Sequence, residues 1–237
     1  MKKILYLVLA VVFMAGTASA SVITSIDFES GAGVGYTTSI TELTDMGSDY
    51  FTHSDGTNIS GVYNSPQGSS FFAAMDTNAD AGGASPASLF ISGINITGFT
   101  SLDVDLSLAE DDDGNNQDWD NATSFEVFAT IDGGTAFKIF GVENDDMGFN
   151  REPLVDLNLD GIGDGPAITD IFTAYNAPIA GTGATLDLEF RFTVPNGDED
   201  IAVDNIIVNG ISAAGIPEPS SLALLALLGL VGVIRRR

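Results

Sequence analysis

Apolar residues recur at every second position over most of this chain. Leu102, Val104, Leu106 and Leu108 alternate with Ser101, Asp103, Asp105 and Ser107; further on, Leu186, Leu188, Phe190, Phe192 and Val194 alternate with Asp187, Glu189, Arg191 and Thr193. Successive side chains of a strand point to opposite faces. Such runs therefore seal one face of an antiparallel sheet against a core and leave the other in water. Comparable runs occupy 23–28, 50–53, 71–75, 88–94, 125–131, 136–142, 168–175 and 201–208. Turn residues separate them. Asp132, Gly133 and Gly134 have the composition of a tight hairpin, while Gly181, Gly183, Pro195 and Gly197 punctuate the later strands. About ten strands, no amphipathic helical pattern and no fixed repeat predict an all-β fold, an antiparallel two-sheet sandwich of jelly-roll type.

The two ends of the chain do not belong to that pattern. Lys2 and Lys3, an apolar run over 4–15, and the small residues Ala18 and Ala20 make a secretory signal peptide over residues 1–20, cleaved so that the mature chain starts at Ser21. At the other end, Pro217, Glu218 and Pro219 precede an apolar run over 222–234 and then Arg235, Arg236 and Arg237. Even fully helical, that run measures ~20 Å at ~1.5 Å per residue, short for a ~30 Å hydrocarbon core. The three arginines hold its end on the cytoplasmic side, leaving what precedes it outside. The order of these elements closely resembles the PEP-CTERM sorting signal of Gram-negative bacteria, the alternative being an ordinary tail anchor. The resemblance implies recognition by an exosortase-type transpeptidase and transient anchoring in the inner membrane. It further implies cleavage near the Pro-Glu-Pro and delivery to the cell surface or exopolysaccharide matrix. Three segments result: a signal peptide at 1–20, a β-sandwich domain at 21–214 and a sorting signal with a short transmembrane helix at 215–237.

Charge narrows the partners of the central domain. Three basic residues, Lys138, Arg151 and Arg191, stand there against 32 acidic ones, a formal charge of −29. Such a surface repels nucleic acid, anionic lipid and anionic polysaccharide unless cations intervene, which makes divalent ions the expected partners and excludes nucleic acid. The chain has no cysteine, so thiol catalysis, disulfides and cysteine-based zinc sites are excluded.

Two places have the makings of a calcium site. Asp156, Asn158, Asp160 and Asp164 put oxygens at positions one, three, five and nine of a loop; Gly161 stands at six, and Ile162 offers its carbonyl at seven. The stretch resembles the calcium loops of EF-hands, dockerins and thrombospondin type 3 repeats. It departs from them at position twelve, where Ala167 replaces a bidentate glutamate. The alternative is an acidic glycine-rich turn without an ion. The second place joins the chain ends, where Asp27 and Glu29 follow the first strand and Asp204 lies in the last. Within that last strand Ile201 and Val203 share one parity, Ile206 and Val208 the other, so a bulge or a strand covered on both faces is expected. Asp204 has the parity of Ile206 and Val208, and a bare carboxylate in apolar surroundings is costly unless paired or bound to metal. These segments resemble those of MAM-type and carbohydrate-binding jelly rolls, where comparable acids hold a structural calcium; the alternative for Asp204 is an exposed turn cap.

Trp119, the sole tryptophan, sits in an acidic stretch over 110–120. A tryptophan beside carboxylates suits stacking on a sugar ring, and paired carboxylates suit glycoside hydrolysis; the alternative is a lid over the core. His53, the sole histidine, reads as a strand-end residue, since neighbours such as Ser54 and Asp55 cannot converge on it as a triad. The order of motifs also resembles uncharacterised jelly-roll modules of bacterial surface proteins. The expected function is that of a non-catalytic, calcium-stabilised surface protein of the extracellular matrix. A carbohydrate-binding module is the alternative and a glycan-active hydrolase the third reading.

Overall fold

The computed structural model describes residues 19–79, 82–111 and 118–212, and among these the chain forms thirteen strands and no helix. The expected signal peptide up to residue 18, residues 112–117 of the acidic stretch and the sorting segment with Pro217, Glu218, Pro219 and the terminal arginines lie outside the described residues. One sheet runs β11 (Thr173–Ile179), β7 (Phe99–Ala109), β13 (Asp200–Ser212), β5 (Phe71–Met75), β4 (Tyr50–Ser54), β3 (Leu43–Thr44), with β1 (Ala20–Ile26) beside β13. The other runs β10 (Leu154–Val155), β9 (Phe137–Glu143), β8 (Ser124–Ile131), β12 (Thr185–Thr193), β6 (Ala87–Asn95), β2 (Thr37–Thr38). Every pairing within the sheets is antiparallel. Successive strands from β5 to β8, and again from β11 to β13, alternate between the sheets, the jelly-roll-like winding expected of the sequence.

The period-two pattern becomes the core. Leu102, Val104, Leu106 and Leu108 of β7 meet Leu186, Leu188, Phe190 and Phe192 of β12 between the sheets. Phe51 touches Phe72 and Phe192 edge-on at 4.8 and 5.5 Å between ring centroids, and Phe125 meets Phe192 at 5.1 Å. Each such pair contributes about 0.5–1.5 kcal/mol beyond its buried area. The hairpin between β8 and β9 turns through Asp132 and Gly133, both at positive φ, with the Gly134 N–H on the Ile131 carbonyl at 2.9 Å. That is the primed turn whose twist suits paired strands.

A second apolar layer lies on the far side of the first sheet. Phe72 and Ala74 of β5 belong to the main core, whereas Phe71, Ala73 and Met75 pack outward with Tyr50, Ile59, Tyr63, Ala109, Ala202 and Phe172. The 55–70 segment thus covers β4 and β5, and these strands are buried on both faces. The last strand shows both devices expected of its parity break. Its register against β7 shifts between Asp204 and Ile207, with Asn205 at a φ of +49°, so that Ile201, Val203, Ile206 and Val208 all reach the core.

Two expectations are corrected. The run over 168–175 is not a strand along its length; β11 spans Thr173–Ile179, and buried Ile168 sits in the preceding loop with its N–H on the Pro153 carbonyl. Pro178 is admitted because β11 is an edge strand paired only with β7 among the described residues. Secondly, β2, β3 and β10 have no sequence signal of their own. Each has two residues held by a neighbouring strand. Ala20, at the expected signal-cleavage position, already belongs to β1 and pairs with Ile211. Entry to and exit from the domain therefore lie at the same end of the sandwich.

Candidate functional site

Asp204 stands where β13 changes neighbours. Residues 200–203 pair with β5 and residues 206–211 with β1, so the strand is left without a partner on that side at the bulge. The Asp204 side chain is buried there on the outward side of the sheet, together with Ala202 and not with Ile206 as its parity in the sequence implied; the bulge reverses the alternation. Its carboxylate accepts the Gln67 N–H at 2.7 Å and the Asn205 N–H at 2.6 Å. Glu29, just past β1, accepts the N–H groups of Ser69 and Ser70 at 2.7 and 2.8 Å and the Ser69 hydroxyl at 2.9 Å. Gly68, at a φ of +97°, lets this segment close on Glu29; a β-carbon there would collide with the Glu29 carboxylate. Asp27 accepts the Glu29 N–H at 3.2 Å, and His53 Nε2 meets the Phe28 carbonyl at 2.7 Å.

The electrostatics of this corner are those of crowded like charges. Burial pushes the Asp204 carboxyl up to about 6 against the pull of its two N–H donors, and the charges of Glu29 and Asp27 add to the rise. Glu29 is held below its ordinary range by the N–H groups of Ser69 and Ser70. A hard cation would relieve both the burial and the repulsion. Among the described residues no three histidine, cysteine, aspartate or glutamate groups are close enough together to hold a metal. An ion here would draw on Asp204 and Glu29 and complete a shell of ~6–8 oxygens with main-chain carbonyls and water.

The loop of Asp156, Asn158, Asp160, Ile162 and Asp164 is arranged differently. The buried Asp156 carboxylate accepts the N–H groups of Leu159 (2.7 Å), Asp160 (3.2 Å) and Gly161 (2.9 Å), and Lys138 Nζ lies 3.2 Å from it. Asp164 accepts the Leu157 N–H at 2.8 Å, Asn158 the Asp160 N–H at 3.0 Å, and Asp160 the Ile162 N–H at 3.1 Å. The side-chain oxygens cap the loop's own backbone, and an ammonium already occupies the place of a cation. In this arrangement the donors do not fit a calcium shell, and Ile162 is exposed. Gly163 serves contact instead: a β-carbon there would strike the Glu143 carbonyl and Leu154.

Trp119 is not a platform for a ligand. The indole is fully buried in the main core, its N–H donating to the Asp200 carbonyl at 3.2 Å, while its own backbone bridges to Arg151. It is the lid over the core. Close by lies a residue that the sequence reading passed over. Asp200 is fully buried and accepts the Tyr63 hydroxyl at 2.6 Å and the Asp111 N–H at 2.9 Å, with Tyr50 and Tyr63 joined through their hydroxyls at 2.7 Å. Burial pushes the Asp200 carboxyl and both phenols well up. Asp111, Asp118, Asp198 and Asp200 line a cavity of about 220 Å³ with Ser60, Met75 and Gly197. Asp200 shares the outward parity of Ala202 and Asp204, and that alternation was the one signal able to find it.

Residues 215–237 match the PEP-CTERM protein-sorting motif. No curated protein gives a significant match to the sequence. Among solved structures the chain is similar to the K3 cleaved adhesin domain of Lys-gingipain from Porphyromonas gingivalis, at 10% identity over 81% of this chain and 99% of that one, with a TM-score of 0.44. It is also similar to the CBM22-1 xylan-binding domain from Paenibacillus barcinonensis, at 10% identity over 83% and 99% of the two chains, TM-score 0.42. A cyclase from Fischerella sp. TAU gives 11% identity over 82% and 99%, TM-score 0.48.

Proposed function

We propose that this protein, whose PEP-CTERM motif directs it through transient membrane anchoring to the cell surface, is a non-catalytic component of the extracellular polysaccharide matrix, stabilised by calcium held between Glu29 and Asp204. The observation that supports the ion is the corner itself. Carboxylates from just past the first strand and from the last strand lie within electrostatic reach of each other at the bulge, one of them buried and pushed up in pKa, in a domain with 29 net negative charges. Calcium there would tie β1 and the 67–70 segment to β13. Contact with polysaccharide would run through bound cations at the acidic surface, since Trp119 offers no exposed ring.

Calcium is expected to raise the melting temperature of the processed domain. An ion bound only by the folded state contributes RT ln(1 + [Ca²⁺]/Kd), about 2.7 kcal/mol at a hundred times Kd, or roughly 5–10 °C for a domain of this size. Asp204→Ala should abolish the response, whereas Asp160→Ala and Asp164→Ala should retain it. Magnesium should substitute poorly, because it prefers a smaller octahedral shell. Superimposable melting curves in chelator and in millimolar calcium would remove the ion from the reading. A glycan screen with and without chelator tests the cation bridge.

Sorting is tested separately. Replacing Pro217, Glu218 and Pro219 by alanine should leave uncleaved protein in the inner membrane if an exosortase-type transpeptidase reads the motif. Cell fractionation with mass spectrometry distinguishes this from ordinary release, which would count against processing at that site.

A further inference from the structure

The edges of the two sheets are not equally protected. A free strand edge presents unpaired N–H and C=O groups to any other chain, and proteins blunt it with short strands, proline or charge. Here β2, β3 and β10 have two residues each, and β11 carries Pro178, which has no N–H, beside the carboxylates of Asp103 and Asp105. The edge formed by β1 is longer than those two-residue strands and carries no such device. Among the described residues β1 pairs with β13 alone, and its other side has no strand partner. Processing after Ala20 leaves Ser21, Val22, Ile23, Thr24, Ser25 and Ile26, six residues with no charged side chain, proline or glycine and rich in β-branched side chains. That is the composition of segments that pair with copies of themselves. Val22 is 61% exposed, and Ser21 and Ser25 are exposed too. The bulge at Ile23 interrupts the pairing with β13 but leaves residues 24–26 in regular register.

Charge selects the occupant. Two copies of a domain with 29 net negative charges repel each other over most of their surface. Neither β1 nor the stretch of β13 beside it, residues 206–212, has a charged residue. The edge of β1 is thus a strip free of acidic side chains, with the α-amino group of Ser21 at its start, along which a second copy can approach without placing carboxylate on carboxylate. We propose that the free edge of β1 is a self-association surface, on which β1 of a second copy pairs antiparallel about a two-fold axis and joins the two sheets into one. A two-fold contact of this kind is self-complementary and closes at the dimer.

The processed domain, residues 21–214, is suited to the test because both apolar clusters are built from residues 26–208. Sedimentation velocity over a concentration series should show dimer that increases with salt, since the Debye length falls to ~3 Å at 1 M and removes the repulsion opposing the contact. Val22→Lys puts a charge on the edge and should weaken dimerisation at least ~10-fold. Val62→Lys, at an equally exposed site elsewhere, should leave it unchanged. Because the chain has no cysteine, Ser25→Cys introduces a unique thiol that should form a disulfide-linked dimer under mild oxidation, while Val62→Cys should not. This second arm does not depend on how Val22→Lys folds. A domain that stays monomeric at 1 M salt, a dimer indifferent to Val22→Lys, or equal cross-linking through positions 25 and 62 overturns the proposal.

Discussion

Replacing Trp119 by alanine should destabilise the domain by about 3–5 kcal/mol, the usual cost of emptying a large buried aromatic site. At roughly 2–4 °C per kcal/mol for a domain of this length, the melting temperature falls by on the order of 10 °C. The loss has two parts. The ring fills the end of the main core between the sheets, and the indole N–H satisfies the Asp200 carbonyl. Trp119→Phe should therefore recover much of the packing while leaving that carbonyl short of its donor, giving a smaller loss. The same residue reports its own surroundings, since all tryptophan fluorescence of the protein comes from it. Its emission should be that of a buried indole and should not shift when saccharides are added. An alanine variant that melts with the parent would place the ring outside the core.

The second large effect is a stability that rises as pH falls from about 8 to about 5. Burial pushes Glu143 up to about 8, aided by the charge of Glu126 and opposed by Lys138. Burial also pushes Asp204 up to about 6 and raises Asp200. Each of these groups binds its proton more tightly in the folded state than in the unfolded one. Folding is favoured as they protonate, and that gain is lost as pH rises through the folded values. One pK unit corresponds to about 1.4 kcal/mol, so the three together amount to several kcal/mol. Below the ordinary carboxylate range the sign reverses. Asp145 is held low by Arg151, and for Asp156 burial is outweighed by the Gly161 N–H and Lys138; protonating them removes stability. A melting series in chelator should pass through a maximum near pH 5. Asp200→Asn keeps an oxygen for Tyr63 and Asp111 and should flatten the alkaline side while raising stability at pH 8. A melting temperature that climbs steadily from pH 5 to pH 8 would contradict this assignment.

What could be read from the sequence follows from how locally each feature is determined. The run over 71–75 coincides with β5, and the alternations of β7 and β12 became the core faces, because a period of two needs only one strand to be visible. Two-residue strands such as β2 exist through their neighbours and leave no trace in the chain. The limits of β11 moved because Pro178 argues against a strand, and its tolerance depends on an edge position that only topology decides. At the candidate site the sequence paired Glu29 with Asp204 through the adjacency of the first and last strands, and the structure brings them within electrostatic reach. The direction in which Asp204 points was missed because a bulge resets the alternation. Asp200 and the cover over the outer sheet were missed because burial beneath a loop is a long-range fact. Trp119 shows the same limit: acids around a tryptophan in the chain do not say which way the ring turns.

The position of β13 has a mechanical consequence. Its thirteen residues run ~40 Å from Asp200 to Ser212, laddered to β7 along one side and to β5 and then β1 along the other. A molecule held through the segment that follows Ser212 is pulled along the axis of this strand. Its hydrogen bonds lie across that axis, so the load shears both ladders at once instead of opening them one bond at a time. Traction from the attached end is thereby spread over the most extensively paired strand in the sandwich, and the domain should resist drag at a flow-swept surface better when held there than when gripped at the two-residue β3.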